Sequence, residues 1–171
     1  MKPTVSQLID LLNKPALMKW ANKIGLEGVR LEDYKKKSGD DGDNIHKQIE
    51  NDLKHGIPFD NAAFQAFKAR YTVERVEPVI ECEHYRGRAD VVMKRDNLLY
   101  LFDFKHANAI YFEQKLQLVA YKRILKVDRV GIVNTTYFTE NIVDLTPESE
   151  AAYTKILSAL VVIWNAKQII Q

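Results

Sequence analysis

The first seventy residues carry apolar positions at helical spacing. Leucines repeat at helical intervals over residues 4–24, where Thr4 or Ser6 can cap the start, Pro15 divides the stretch and Gly25 ends it. Residues 33–43 are rich in lysine, aspartate and glycine and predict a polar loop. Two further helices are predicted, from Asp43 or Asn44 to Lys54 before Gly56, and from Asp60 or Asn61 to Arg70.

From Thr72 onward the pattern becomes typical of strands. Residues 72–81 and 88–93 are β-like, with a turn predicted at 85–87, and a second turn at 95–97 leads into residues 98–104. The run 98–104 is too apolar for a surface strand and should be central. The remaining predictions are a helix over 112–125, a buried strand over 128–133, a short edge strand over 141–145, and a last helix opened by Thr146 or Ser149.

This order of elements predicts an α/β fold with a mixed sheet flanked by helices. A chain of 171 residues fits one domain. We expect residues 1–71 to be mainly helical, 72–145 to form the sheet core with a central helix, and 146–171 to form the C-terminal helix. The net charge of +2 neither requires nor excludes a nucleic-acid partner, so that question rests on local charge.

The single cysteine and the short apolar runs exclude several classes of protein. Cys82 alone cannot form an internal disulfide or ligate an iron–sulfur cluster within one chain. The first residues lack the apolar core of a signal peptide, and the run 160–164 is too short to span a bilayer. We therefore expect a cytoplasmic protein without a membrane partner, in the host cytoplasm if a virus encodes it.

Two acids and a lysine lie on strand-like apolar segments. Asp103 and Lys105 are two residues apart and project to the same side of a strand, and Asp90 approaches Asp103 if the neighbouring strands pair. A buried carboxylate is costly without a partner, and paired carboxylates suit Mg²⁺ or Mn²⁺. The Phe104 carbonyl offers a third oxygen. The alternative is a simple Asp–Lys salt bridge at a sheet edge.

Four short motifs occur in order within residues 42–123. They are Gly42-Asp43-Asn44-Ile45-His46, Gly87-Arg88-Ala89-Asp90, Asp103-Phe104-Lys105 and Gln117-Leu118-Val119-Ala120-Tyr121. In this order they resemble the PD-(D/E)XK nuclease superfamily, specifically its RecB-like branch, which includes phage-encoded exonucleases. The opening segment, residues 4–21, is also similar to the start of small phage nucleases of this branch.

The resemblance implies a restriction-endonuclease-like core, a central mixed β-sheet flanked by helices with an N-terminal helical segment. It also implies a role for each matched residue. The metal ligands would be His46, Asp90, Asp103 and the Phe104 carbonyl, and the catalytic residues would be Asp90, Asp103, Lys105, Gln117 and Tyr121. Glu77 or Glu81 would match a further acid of the family. For His46, the alternative is a surface pair with Glu50 on the same helix face.

Several side chains are candidates for contact with DNA. The basic candidates are Arg86, Arg88, Lys35, Lys36, Lys37, Lys115, Lys122 and Arg123. The aromatic candidates for stacking on bases are Tyr34, Tyr85, Tyr111 and Trp20. For each basic residue the alternative is an ordinary solvated charge, and for Trp20 it is a place in the core.

The leading hypothesis from the sequence is a Mg²⁺- or Mn²⁺-dependent DNA nuclease, an exonuclease acting in recombination, replication or repair. The alternatives are a structure-specific or restriction-type endonuclease, a catalytically inactive DNA-binding module, and an assembly subunit acting through the apolar last helix. The chain has no phosphate-binding Gly-x-x-x-x-Gly-Lys-Ser/Thr loop, so a helicase or recombination protein would have to supply any ATP-driven unwinding. The apolar last helix also suggests a homo-oligomer.

Overall fold

A five-stranded mixed sheet lies at the centre of the chain in the computed structural model, which describes residues 2–12, 15–106 and 109–170, without the side chains of 15–17, 34–39 and 41. The elements in chain order are α1 (Val5–Ile9), α2 (Pro15–Leu26), α3 (Leu31–His55), α4 (Ala62–Lys68), β1 (Thr72–Val76), β2 (Val79–Glu81), β3 (Arg86–Arg88), β4 (Val91–Arg95), β5 (Leu98–Lys105), α5 (Phe112–Leu125), β6 (Arg129–Asn134), β7 (Thr139–Val143) and α6 (Pro147–Ile170). The strand order is β1-β4-β5-β6-β7, and β2 and β3 form a separate pair. The predicted α/β fold class is confirmed.

Strand β5 occupies the middle of the sheet, as its apolar run predicts. It pairs antiparallel with β4 and parallel with β6. Between β4 and β5, Asp96 and Asn97 both have positive φ angles of 52° and 61°. Two such residues in succession form the tight turn that matches the twist of a hairpin. The turn predicted at 95–97 is therefore confirmed, and it fixes the register between the two strands.

Helices cover both faces of the sheet. One face buries Val92, Leu101 and Ile132 together with residues of α1, α5 and α6. The other face buries Phe102 and Phe104 in a second cluster with residues of α3 and α4, among them Ile49, Phe64 and Phe67. Alternate residues of β5 therefore enter different cores, as the side-chain period of a strand requires. Asp103 and Lys105 belong to the face of β5 that Leu101 shares with α5.

Local capping signals are mostly where the sequence places them. Thr4 accepts the backbone N–H of Gln7 and forms a capping box with it. Asn61 accepts the N–H of Phe64 at the start of α4. Gly56 ends α3 with a left-handed φ of 68°, and the Thr146 hydroxyl accepts the N–H of Ser149 beside the start of α6. Each side chain or glycine satisfies a helix end locally, so tertiary contacts need not be known to predict it.

The predicted polar loop at 33–43 is wrong. These residues are part of α3, one helix of 25 residues whose N-cap is Arg30, not Asp43 or Asn44. Glu32 and Asp33 lie in its first turn, and Lys54 and His55 lie in its last turn, which suits the helix dipole at both ends. An internal glycine costs only about 1 kcal/mol relative to alanine. Favourable ends and tertiary contacts of the second half therefore outweigh the two glycines.

The turn predicted at Tyr85-Arg86-Gly87 is also misplaced. Residues 86–88 form β3, which pairs antiparallel with β2. The reversal lies earlier, where the N–H of Cys82 donates to the carbonyl of Tyr85. The Gly87 position is paired to Ile80 and is held as a strand, and this change has consequences for the candidate site.

The last helix has an apolar surface that the chain does not cover completely. Leu157, Leu160 and Val161 are buried on the sheet, whereas Val162 and Ile163 are 67% and 48% exposed. In the described part of the chain, no helix combines the length and apolar character needed to cross a membrane.

A buried carboxylate joins α3 to α4. Asp52 is 3% exposed, and it accepts hydrogen bonds from the N–H of Phe59 at 2.8 Å, from Gln65 at 2.7 Å and from Lys68. Burial disfavours ionisation of Asp52, but these hydrogen bonds outweigh burial and lower its pKa below the ordinary value. Asp52 therefore fixes α3, which carries His46, relative to the rest of the second core.

Replacing Asp52 with alanine is expected to lower the free energy of unfolding by about 3 kcal/mol at pH 7, because two N–H donors and an ammonium lose their buried acceptor. Since the folded-state pKa is lowered, this stabilisation is present above the unfolded pKa of about 4 and is lost as the pH falls below it. Urea unfolding at pH 7 and pH 3 measures both effects. Glu81→Gln, which removes an exposed ion pair with Lys2, is the control and should leave the midpoint nearly unchanged. An equal effect of Asp52→Ala at both pH values would contradict the role of the ionised carboxylate.

Candidate functional site

Asp90 and Asp103 meet where β4 begins beside β5. The register pairs Val91 with Phe102, so Asp90 and Asp103 lie opposite each other one residue further along. Oδ2 of Asp90 accepts the backbone N–H of Phe104 at 2.7 Å. This hydrogen bond ties the side chain of Asp90 to β5. The approach of Asp90 to Asp103 that the spacing predicts is the arrangement found.

Lys105 lies on the same side of β5 as Asp103. Its Nζ is 2.8 Å from Oδ2 of Asp103, which is almost fully buried at 2% exposure. Despite this short distance, Oδ2 of Asp103 accepts no hydrogen bond of regular geometry from any described residue. The pair is therefore an ion pair with a buried carboxylate on the central strand, and not a salt bridge at an exposed sheet edge.

The two carboxylates repel each other. Burial, and next the charge of Asp103, raise the pKa of Asp90 to about 7, although Lys105 and the Phe104 N–H act in the opposite direction. Asp103 and Asp90 in turn raise the pKa of Lys105 above its ordinary value against the effect of burial. Lys105 is therefore a cation at neutral pH, placed beside two acids that its single charge does not fully balance.

His46 reaches the same place from α3. Its Nδ1 is 3.8 Å from Oδ2 of Asp90, and its ring lies edge-on to the ring of Phe104 with 6.2 Å between ring centroids. Burial and the charge of Lys105 lower the pKa of His46, so its imidazole is neutral at pH 7 and has a lone pair to offer. His46, Asp90 and Phe104 line a cleft of about 280 Å³.

The donor atoms suit a hard divalent cation. Two carboxylates, a neutral imidazole and a backbone carbonyl are the oxygen-rich ligands that Mg²⁺ and Mn²⁺ accept. Asp103 is buried, and its charge raises the pKa of Asp90, so a further positive charge near the two carboxylates would be favourable. The described residues contain no ready group of three or more His, Cys, Asp or Glu side chains that could hold a metal ion. The expected ligands His46, Asp90 and Asp103 therefore do not form a preassembled metal-binding group.

Gln117 and Tyr121 approach the carboxylates from α5. They are one helical turn apart, and Nε2 of Gln117 donates to Oη of Tyr121 at 3.2 Å. Burial and the charges of Asp103 and Asp90 raise the pKa of Tyr121, whereas the bond from Gln117 acts against this rise. The phenol therefore stays protonated at neutral pH. Its own O–H is left to donate towards the site, because Gln117 already donates to the oxygen.

Gly87 leaves room for Tyr121. A Cβ at position 87 would lie 2.9 Å from Cε1 and 3.1 Å from Oη of Tyr121. Because Gly87 is held in β3 against β2, the ring and a larger residue cannot occupy this space together. A glycine is therefore needed three residues before Asp90, because the Tyr121 ring of α5 occupies the space that a side chain would fill.

Substituting Gly87 with alanine is expected to destabilise the protein by about 2 kcal/mol, because the new methyl group overlaps the Tyr121 ring. Thermal unfolding measures the loss. The matched control combines Gly87→Ala with Tyr121→Leu, whose side chain lacks the far edge of the ring. The cost of the alanine should fall to less than half in that background. An unchanged cost would show that the overlap with Tyr121 is not its cause.

Glu77, and not Glu81, lies beside the cleft. Glu77 has a positive φ of 48°, and its carboxylate pairs with Lys54 at 3.4 Å and with Arg88 at 3.4 Å. Glu50, four residues after His46, shares Lys54 and also lines the cleft. A surface pair of Glu50 with His46 is the alternative that the sequence leaves open, but the carboxylate of Glu50 pairs with Lys54 at 3.1 Å. Glu81 is exposed and pairs with Lys2 instead.

The basic residues proposed to contact DNA are not all near this cleft. Arg88 reaches it through Glu77, and Arg86 is exposed on the adjoining β3. Lys122 is directed to α6, where it pairs with Glu150 beside Arg123 in a shallow groove. Lys115 is half-buried on α5. The side chains of Lys35, Lys36 and Lys37 lie outside the described part of the chain.

Two of the aromatic candidates are unsuited to stacking on bases. Tyr85 is buried, and its hydroxyl donates to the carbonyl of Ala120 at 3.4 Å. Trp20 is partly buried on α2, and the side chain of Tyr34 lies outside the described residues. Tyr111 is 44% exposed at the start of α5 and is free to meet a ligand.

Comparison with known proteins adds little to this geometry. No family model matches the chain. No curated protein matches it either. Among solved structures, the crystal structure of SSO0001 matches with a TM-score of 0.48 and 14% identity, covering 95% of this chain and 76% of that one. A similarity at this level carries no argument about function, so the candidate site stands on its own residues.

Proposed function

We propose that this chain is a Mg²⁺- or Mn²⁺-dependent deoxyribonuclease, an exonuclease that acts in recombination, replication or repair. The observation that carries the proposal is the convergence of Asp90, Asp103, Lys105 and His46 at one end of β5. Lys105 holds the buried carboxylate of Asp103 at 2.8 Å, and the cleft that His46, Asp90 and Phe104 line is open to a ligand. Resemblance to RecB-like nucleases in four ordered motifs points to the same chemistry.

In this proposal, Asp90, Asp103, His46 and the Phe104 carbonyl hold the metal. When bound, the metal polarises the phosphate and lowers the pKa of an attacking water. These are the ligands that the resemblance to RecB-like nucleases implies. A bound cation would offset the charge of Asp103, and Asp90 would then lose its proton more readily.

Lys105 is proposed to orient the attacking water and to balance charge that develops on the phosphate. Its ammonium is held by Asp103 at 2.8 Å and stays protonated at neutral pH. Tyr121 is proposed to donate its O–H to a phosphate oxygen, with Gln117 holding the phenol in place. The proposal thus places one cation and one neutral donor beside the scissile phosphate.

A cleavage assay tests the proposal. The substrates are end-labelled linear single-stranded DNA, linear duplex DNA and closed circular DNA, each with Mg²⁺, Mn²⁺ or EDTA. Loss of the linear DNA only with metal, while the circle persists, is the expected result for an exonuclease. Cleavage of the circle would make the enzyme an endonuclease. DNA binding without any cleavage would indicate an inactive binding module and would overturn the proposal.

The setting of this activity is part of the proposal. We place it in the cytoplasm, or in the host cytoplasm if a phage encodes the chain, with DNA as the partner. A helicase or recombination protein would deliver strand ends, and the exposed Val162 and Ile163 of α6 offer a surface for a second copy.

A further inference from the structure

Three aromatic side chains of the described residues are exposed, and the chain segments that carry them follow the parallel strands β5 and β6. They are Tyr111, Phe112 and Tyr137, which are 44%, 45% and 67% exposed. All other described tryptophan, tyrosine and phenylalanine side chains are buried or partly buried. Exposed aromatic rings on neighbouring segments of a protein are candidates for a binding surface. We call Tyr111, Phe112 and Tyr137 the aromatic platform.

The platform follows directly on the strand that carries Lys105. Lys105 of β5 is paired in register with Asn134 of β6, and both strands end there. Just beyond, the N–H of Thr135 donates to the Lys105 carbonyl at 3.0 Å. Tyr137 is two residues after Thr135. Because β5 and β6 are parallel, both chain segments that leave them emerge at the same edge.

The other two rings reach this edge through α5. Tyr111 and Phe112 stand at the start of the helix whose later residues, Gln117 and Tyr121, face the carboxylates. Nine residues of helix separate Phe112 from Tyr121, a rise of about 13 Å. That distance is close enough for a single nucleic-acid strand to touch the ring and the site at once.

Local contacts hold the platform residues in place. The ring of Phe112 packs on Tyr153 of α6 with 5.4 Å between ring centroids. The N–H of Tyr111 donates to Gln114 at 3.0 Å, and the N–H of Tyr137 donates to Oδ1 of Asn134 at 3.3 Å. The ring of Phe112 therefore loses less entropy when a ligand stacks on it, and the backbone that carries Tyr111 and Tyr137 is already fixed.

A hydrogen bond also joins the two segments. Nδ1 of His106 lies 3.2 Å from the hydroxyl of Thr135, so the residue that follows Lys105 is tied to the residue that follows β6. Thr135 itself is buried at 4% exposure. The backbone that carries Tyr137 is therefore anchored to the backbone that carries Lys105.

We propose that the aromatic platform stacks on the unpaired bases of single-stranded DNA whose phosphate lies at Lys105. This inference rests on the proposed function, and it names single-stranded DNA ends as the substrate class. Unpaired bases offer flat faces to aromatic rings regardless of sequence. Bases within a duplex are already stacked on one another and present mainly phosphates to a protein. Rings that continue directly from a candidate phosphate site therefore favour an unpaired strand.

Binding of fluorescein-labelled DNA in EDTA tests the platform without cleavage. The probes are a 15-nucleotide thymidine strand, the same strand with abasic sites at its central positions, and a 15-base-pair duplex. Tyr111→Ala and Tyr137→Ala are each expected to weaken binding of the thymidine strand about tenfold, and duplex binding should change less than twofold. Tyr137→Phe keeps the ring and should bind like the wild type. Met18→Ala, at a side chain that is 67% exposed on α2, as exposed as Tyr137, is the control.

The abasic strand separates stacking from other contacts. Removing the bases should weaken binding by the wild type, and it should have little further effect on the Tyr111→Ala/Tyr137→Ala double variant. Equal weakening of intact and abasic strands by the double variant would overturn stacking, as would unchanged affinity for the thymidine strand. If cleavage depends on metal but DNA binding does not depend on the rings, the platform proposal is wrong and the proposed nuclease activity stands. If DNA binding depends on the rings but no cleavage occurs, the proposed nuclease activity is wrong and the platform proposal stands. If the protein does not bind DNA, the platform proposal is wrong.

Discussion

Replacing Lys105 with alanine is expected to slow DNA cleavage about a thousandfold while the protein remains folded. Among the described residues, Lys105 supplies the cation at the end of β5, and its ammonium lies 2.8 Å from Oδ2 of Asp103. Without it, neither the attacking water nor the charge on the phosphate has a fixed positive partner. Asp103→Ala is expected to have an effect of at least the same size, because it removes a proposed metal ligand.

Single-turnover cleavage of linear DNA with Mn²⁺ gives the rate, and far-ultraviolet circular dichroism checks the fold. Lys115→Ala is the matched control, since Lys115 is also a half-buried lysine but lies on α5. We expect it to retain cleavage within about threefold, a loss that a single phosphate contact can explain. Full activity of a pure Asp103→Ala or Lys105→Ala preparation would contradict the assignment of these residues to the active site.

Replacing Asp90 with asparagine is expected to abolish cleavage and yet to stabilise the metal-free protein, by about 2 kcal/mol at pH 8. Burial and the charge of Asp103 raise the pKa of Asp90 to about 7, so ionising it costs the folded state free energy. A shift of about three pH units corresponds to at most ~4 kcal/mol, and relaxation reduces this. Asparagine carries no charge and can still accept the N–H of Phe104.

The sign of this effect depends on pH. Because the folded-state pKa lies above the unfolded value of about 4, the wild type loses stability as the pH rises from about 4 to about 7. The gain from Asp90→Asn should therefore be small at pH 4 and full at pH 8. Urea unfolding in EDTA at the two pH values measures it. Asp128→Asn is the control, since Asp128 is an exposed carboxylate that also accepts a strand N–H, from Leu99.

Metal should reverse the order of stabilities. Saturating Mn²⁺ is expected to stabilise the wild type by ~2 kcal/mol or more when its concentration exceeds the dissociation constant a hundredfold, and to have little effect on Asp90→Asn. A lower stability of Asp90→Asn than of the wild type at pH 8 in EDTA would show that the two carboxylates do not repel each other. Equal stabilisation of both proteins by Mn²⁺ would show that Asp90 is not a ligand.

Helix caps, helix ends and strand alternation could be predicted from the sequence because they depend on residues close together in the chain. The capping roles of Thr4 and Asn61 and the stop at Gly56 each depend on atoms a few positions apart. The apolar run of β5 required a central position in the sheet, and the alternation of a strand placed Asp103 and Lys105 on one side. The mixed α/β architecture followed from the order of these elements.

Helix α3 shows why local signals fail. Its lysines, aspartates and two glycines are typical of a loop, but residues 31–55 form one helix. Propensity is a weak prior that helix ends and tertiary packing override. The second half of α3 is anchored by Ile49 in the core and by Asp52, which binds Phe59, Gln65 and Lys68. None of those partners can be identified from the sequence of α3.

By itself, then, the sequence determined the elements that local periodicity enforces and the order of the four motifs. The tertiary structure decided which side chains meet: Lys122 with Glu150 on α6, Glu77 rather than Glu81 beside the cleft, and Gly87 against Tyr121. It also placed the segments that carry Tyr111, Phe112 and Tyr137, 25 residues apart in the chain, after the two parallel strands β5 and β6. Such contacts join residues distant in the chain, and only the pairing of strands and the packing of helices sets the distances between them.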